Sequence, residues 1–178
     1  MFKGEKVLLR EYREGDIQKA TEMFNDAETR TYIGSGPFPA SIWQEEKFIK
    51  GQDFMSRDSY NYAIETLEDG EYIGGCGINK MNWTARVAEV GIMIGDKAYW
   101  GQGYGTDAMK VLIRIIFEYL NMNKISLYLF SYNKRAQASY EKCGFVVEGV
   151  LRQEQYAKGG YHDQIYMGLL REEWEKQQ

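Results

Sequence analysis

Apolar and polar positions change their period several times along the chain, and each change marks an element. Val7 to Tyr12 alternates well enough for a strand, and Gly15-Asp16 then offers a helix start that runs through about Asn25. Ile33 to Pro39, rich in Gly and Pro, reads as a loop. After it, Ser41 with Glu45 nearby and the apolar positions Ile42, Phe48, Ile49 and Phe54 predict a second helix from about Ile42 to Met55. From Tyr60 the period shortens. Tyr62 to Leu67, the turn signal Glu68-Asp69-Gly70 and Tyr72 to Ile78 predict a hairpin, and the turn at Asn82 to Arg86 adds a third antiparallel strand, Val87 to Ile94.

The helical period returns at Ala108, Val111, Leu112, Ile115, Ile116, Tyr119 and Leu120, an amphipathic helix with one face for the sheet. Lys124 to Phe130 is a compact strand, and Lys134 to Cys143 is a helix stopped by Gly144. Phe145 to Gln155 and His162 to Leu170 form a final strand pair around Gly159-Gly160. Neither a repeat nor a linker breaks the pattern, so residues 1–178 are expected to form a single domain.

Composition narrows the function classes. At 178 residues, 44% hydrophobic and 27% charged, the chain can bury a sizeable core, and 14 Tyr imply many half-buried positions with a polar tip. A net charge of -4 argues against a sequence-independent nucleic-acid partner, whose footprint is usually basic. No stretch approaches the ~20 apolar residues that span a bilayer, and Met1 to Arg10 has no apolar core of an export signal, so a cytoplasmic protein without a membrane partner is expected. Cys76 and Cys143 lie far apart without metal-ligand spacing and read as reduced, buried thiols; no metal is expected.

The candidate chemistry sits in Trp100-Gly101-Gln102-Gly103-Tyr104-Gly105-Thr106, between a strand and a helix. Glycines at alternate positions let the backbone turn tightly and approach a ligand, and the free N–H groups of Gln102 to Thr106 at a helix start suit a phosphate or pyrophosphate. The Lys-Ser/Thr pair of a Walker A loop is missing, and the preceding strands form an antiparallel meander instead of the opening βαβ unit of a dinucleotide fold.

Gln102-Gly103-Tyr104-Gly105-Thr106 followed by an apolar helix resembles the acyl-CoA signature of the GCN5-related N-acetyltransferase (GNAT) superfamily. Asn133-Lys134-Arg135-Ala136, then Ser139-Tyr140-Glu141-Lys142-Cys143-Gly144-Phe145, resembles the family's second hallmark. Leu8-Leu9-Arg10 and Gly160-Tyr161-His162-Asp163 with Met167 look like its RimJ/RimL-like branch, which acetylates protein N-termini, polyamines and small amines. Trp100 departs from the Arg or Gln that many relatives carry there; because the loop binds through backbone N–H groups, the change is expected to alter packing only. The resemblance implies an α/β (α+β) GNAT fold, a mixed and mostly antiparallel sheet of about seven strands flanked by about four helices.

It also implies acetyl-CoA as co-substrate, direct transfer to an amine in a ternary complex, and a set of residues. Tyr140 is the expected proton donor to the CoA thiolate; it lies on one side of its helix with Asn133, which would hydrogen-bond the pantetheine arm. Lys142 is placed to reach a CoA phosphate, and the backbone of Ile92, Met93 and Ile94 to grip the pantetheine amides and polarise the thioester carbonyl. Glu89 is either a general base or a carboxylate that only attracts a cationic substrate. His162 receives no role. The acceptor side is expected from the first two helices, the loop Ile33 to Pro39 and the last hairpin, with Tyr32, Phe38, Trp43, Trp83 and Tyr156 as slot residues. An acyl-CoA sensor that does not turn over is the alternative, and pairing through a sheet edge would make a homodimer.

Overall fold

The computed structural model describes residues 1–177. Seven strands, β1 (Val7–Arg10), β2 (Tyr60–Thr66), β3 (Tyr72–Asn82), β4 (Val87–Ile94), β5 (Lys124–Phe130), β6 (Val146–Ala157) and β7 (Gly160–Leu170), form one sheet in the order β1-β2-β3-β4-β5-β7-β6. Every neighbouring pair is antiparallel except β4 and β5. The mixed, mostly antiparallel sheet of the sequence reading is therefore present, with the meander β1 to β4 on one side and the β5-β7-β6 group on the other.

Among the described residues, six α-helices accompany it: α1 (Asp16–Asn25), α2 (Ala27–Ile33), α3 (Ile42–Lys50), α4 (Tyr104–Arg114), α5 (Lys134–Lys142) and α6 (Arg171–Glu175). The two beyond the expected four are too short to show a hydrophobic period. α2 is set instead by its ends: the Asp26 side chain accepts from the amides of Glu28 and Thr29, and Gly34 closes the helix at φ 68°. α3 stops at Lys50 instead of Met55, because Gly51 follows and the side chains of Phe54 and Met55, 82% and 70% exposed, find no core to join. The helix expected through Leu120 also differs. α4 widens after Arg114 into a π turn, Ile115–Tyr119, which keeps Ile115, Ile116 and Phe117 buried.

The apolar faces close on two sides of the sheet. On one, α4 packs Ala108, Leu112 and the following Ile116 against Leu9, Ile73, Val90 and Ile125. On the other, α1 and α3 bring Ile17, Ala20, Met23 and Ile49 onto Ala63 and Tyr72. The entry to α1 is fastened by a buried ion pair in which the Arg10 guanidinium donates to both Asp16 carboxylate oxygens at 2.7 and 2.9 Å.

One discontinuity organises the rest. β4 and β5 pair only from Val87 to Glu89 with Lys124 to Ser126, and then part. β4 continues to Ile94 on β3, and β5 continues to Phe130 on β7, so the two diverging edges open a wedge in the middle of the sheet.

Candidate active site

A cavity of about 840 Å³ fills that wedge and passes between the α1–α3 side and the α4–α5 side. Val90 to Ile94 form one wall, and Tyr128 to Phe130 with Asn133 form the opposite one. β3 can lie close behind the first wall because it carries glycines. A Cβ on Gly74 would stand 2.0 Å from the Met93 carbonyl oxygen, and one on Gly75 would stand 2.1 Å from the Tyr12 hydroxyl.

At one end is the loop before α4. Gly101 and Gly103 adopt φ values of 74° and 88°, and no non-neighbouring atom comes within 4 Å of a Cβ built at Gly101. The first backbone bond of α4 runs from the Asp107 amide to the Gly103 carbonyl at 2.9 Å, and the amides of Gly101 to Thr106 find no acceptor among the described residues. Gly101, Gly103, Gly105 and Thr106 line the cavity. A pyrophosphate fits this row of unused donors at a helix start. Gln102 and Tyr104 alternate away from it: the Gln102 side chain donates to the Ala98 carbonyl, and Tyr104 is buried edge-on to Tyr99 at 5.0 Å. What they offer the ligand is their backbone.

Trp100 is fixed by its indole N–H, which donates to the Ile94 carbonyl at 2.6 Å, and by the Arg135 guanidinium stacked 3.6 Å from its ring centroid. The indole thus bridges the end of β4 and α5, a packing role that the sequence expectation left unspecified.

α5 supplies the next group. The Asn133 side chain accepts from the Ala136 amide at 3.2 Å and so caps the helix; the residue lines the cavity, and its side-chain amide nitrogen donates to no other described residue. Thr106 and Ser139 hydroxyls meet at 2.8 Å and hold the start of α4 against the second half of α5. Two turns beyond the cap, Tyr140 is 7% exposed and lines the cavity with its ring edge-on to Phe145 at 6.0 Å. Burial, followed by the nearby Cys143, raises the phenol's pKa well above its ordinary value. Its hydroxyl makes no hydrogen bond to another described residue and is not sealed from the cavity space. Lys142 lines the same cavity at the exposed end of α5.

The remaining expectations fall differently. Glu89 is half-buried on the last rung of the β4–β5 pairing, and the cavity wall begins one residue later, at Val90. Of the five expected slot aromatics, only Tyr32 lines the cavity; Phe38, Trp43 and Tyr156 are 81%, 74% and 63% exposed, and Trp83 is 45% exposed with its indole on the Arg57 carbonyl. The aromatic wall on the α1–α3 side consists of Tyr12, Phe24, Phe48 and Tyr72, joined by the carboxylate of Glu45. None of these was legible as a site residue, since their positions also satisfy core or capping patterns.

Comparison with known proteins gives a consistent result. The acetyltransferase (GNAT) domain family matches residues 6–146. YdaF of Bacillus subtilis (strain 168), provisionally named a ribosomal N-acetyltransferase, is 34% identical over 176 residues, which cover 97% of this chain and 95% of YdaF. The spermidine N(1)-acetyltransferase of Escherichia coli (strain K12) is 28% identical over 98% of this chain and 91% of its own. Among solved structures, the spermidine N-acetyltransferase of Vibrio cholerae in complex with CoA and spermine superposes with a TM-score of 0.84 at 26% identity, covering 94% of this chain and 97% of that one.

Proposed function

The chain belongs to the GNAT acetyltransferase family, and from that premise we propose how its cavity carries out acetyl transfer. The protein is an acetyl-CoA-dependent N-acetyltransferase whose acceptor is an amine. Acetyl-CoA supplies the activated acyl carbon and a thiolate leaving group. The amides of Gly101 to Thr106, including those of Gln102, Gly103, Tyr104 and Gly105, hold the pyrophosphate, with Lys142 adding a positive charge at the rim. The Asn133 amide nitrogen and the free edge of β4 at Ile92, Met93 and Ile94 hold the arm and polarise the carbonyl. With the Ile94 carbonyl already engaged by Trp100, the arm is left mainly to the backbone of Ile92 and Met93.

The acceptor nitrogen attacks from the α1–α3 side, directly and without an acyl-enzyme. Glu89, one residue outside the wall, takes the amine's proton through a bridging water. Tyr140 gives its proton to the departing sulfur. The observation that carries this reading is one cavity that joins an unbonded row of amides at a helix start to an unbonded, buried phenol. Holding both reactants there lowers the barrier whichever base is used.

The motifs near both ends of the chain fit the RimJ/RimL-like branch, and the continuous sheet supports one domain over the whole sequence. Two free buried thiols, Cys76 and Cys143, suit a reducing cytoplasm. β6, at the sheet edge with exposed Val146, Val147, Val150 and Leu151, offers a surface for a homodimer. The test of the activity is thiol release from acetyl-CoA with a panel of short diamines, peptides with free N-termini and aminoglycosides. Turnover with at least one class is expected; binding of acetyl-CoA without acetylation of any amine would overturn the reading.

A further inference from the structure

Among the described residues that line the cavity, Glu45 is the single carboxylate, while the two cations, Arg135 and Lys142, belong to α5. A capping box fixes how α3 begins: the Ser41 hydroxyl accepts from the Gln44 amide, and the Gln44 side chain accepts from the Ser41 amide at 2.8 Å. Glu45 follows in that first turn, half-buried and turned into the wedge.

The other semi-buried acids are occupied, except Glu89 on β4, which lies outside the cavity wall. Asp16 and Glu65 hold Arg10, Asp96 holds Lys19, and Asp107 accepts from the amides of Glu5, Lys6 and Val7. Glu45 has no hydrogen-bonding or ionic partner among the described residues, and burial raises its pKa. Burial raises the pKa of the Tyr12 and Tyr72 phenols, and Glu45 stands close enough to both to add to that rise. The Tyr12 ring lies edge-on to Phe48 at 5.7 Å and to Tyr72 at 6.1 Å, which makes an aromatic chamber around one negative charge. A partly desolvated, unpaired carboxylate costs stability, and ring faces attract cations, so this chamber is complementary to an ammonium from outside.

That ammonium is not the reacting one. A carboxylate in contact with the attacking nitrogen would hold its proton in place. The positions agree: Tyr140 belongs to the cluster beneath α4, whereas α3 packs with α1 on the opposite face of the sheet.

We propose that Glu45, walled by Tyr12, Phe48 and Tyr72, is the subsite for a second, non-reacting ammonium of the acceptor, which is therefore a diamine or longer polyamine. This inference rests on the transferase reading above. The test compares kcat/KM for the four-carbon diamine putrescine with that for the four-carbon monoamine butylamine, in wild type and in E45Q. Wild type is expected to prefer the diamine by about 10- to 100-fold, the range of a charge-assisted bond, and E45Q to bring the two values to within about threefold by lowering the diamine's. Tm of E45Q should equal or exceed that of wild type, because no partner is lost. A preference that survives in E45Q overturns the proposal. So does an equal loss of kcat on both amines together with the acid limb of the pH profile, the signature of a base. If wild type acetylates peptides but neither amine, the subsite is wrong and the transferase stands; if no amine of any class releases thiol, the transferase reading itself falls.

Discussion

Tyr140→Phe removes one oxygen atom and isolates the proposed acid. The ring keeps its place, since its packing depends on the edge contact with Phe145 and on the cluster under α4. The lost hydroxyl has no protein partner, so stability should change by no more than about 0.5 kcal/mol, where breaking a satisfied buried hydrogen bond would cost about 1–3 kcal/mol. The chemical step should respond far more. Proton donation by a positioned side chain contributes about 10²- to 10⁴-fold, so kcat for thiol release is expected to fall by that range while acetyl-CoA binding persists. The pH dependence supplies a second check. The acid must be protonated to act, and the folded phenol titrates above its usual value of about 10, so wild-type kcat should lose nothing to this group as pH rises to about 9. Stopped-flow release of thiol, with acetyl-CoA affinity measured separately by calorimetry, separates chemistry from binding. A Tyr140→Phe enzyme within about twofold of wild-type kcat would refute the assignment.

Two further outcomes follow from the same geometry. Gly103→Ala meets no obstructing atom, yet forces an L-residue to φ 88°; the strain of about 1–2 kcal/mol should lower Tm by about 2–8 °C and raise KM for acetyl-CoA, as calorimetry and initial rates would show. Asp26, whose carboxyl is held down to about 2 by the Lys97 ammonium at 2.7 Å and then by the Thr29 amide, adds stability that is fully present above its unfolded pKa of about 3.9 and is lost as pH falls toward 2. The urea midpoint of wild type should exceed that of Asp26→Asn at pH 7, and the two should converge near pH 2; a constant gap would show that the ion pair contributes nothing.

Much of the fold was legible because its elements are long and periodic. The Val111-Leu112-Ile115-Ile116 stripe could only be an amphipathic helix, and the turn residues around Gly70 and Gly159 could only separate antiparallel strands. Where the reading missed, local pattern and tertiary context disagreed. Phe48, Ile49 and Phe54 share a helical spacing, yet only Ile49 reaches the core, so the chain leaves the helix at Gly51. The slot aromatics failed for a related reason. Trp43 and Phe48 sit on one short helix, and nothing in their spacing tells that Phe48 turns toward Tyr12 while Trp43 turns to water.

By itself the sequence determined the two motifs, Gln102 to Thr106 and Asn133 to Phe145, and with them the family and the chemistry. Those are local properties: a glycine loop that must turn, a helix start that must leave amides free, and an Asn and a Tyr at a helical offset. Only the tertiary structure decided what surrounds the acceptor. The wedge exists because β4 and β5 release each other after Glu89 while β3 and β7 hold their far edges, a balance between distant strands. Glu45 became a candidate only when α3 folded over that wedge and left its carboxylate, the single one among the described residues lining the cavity, without a partner. A residue's partners come from segments far away in the chain, so an unpaired charge is visible only after folding.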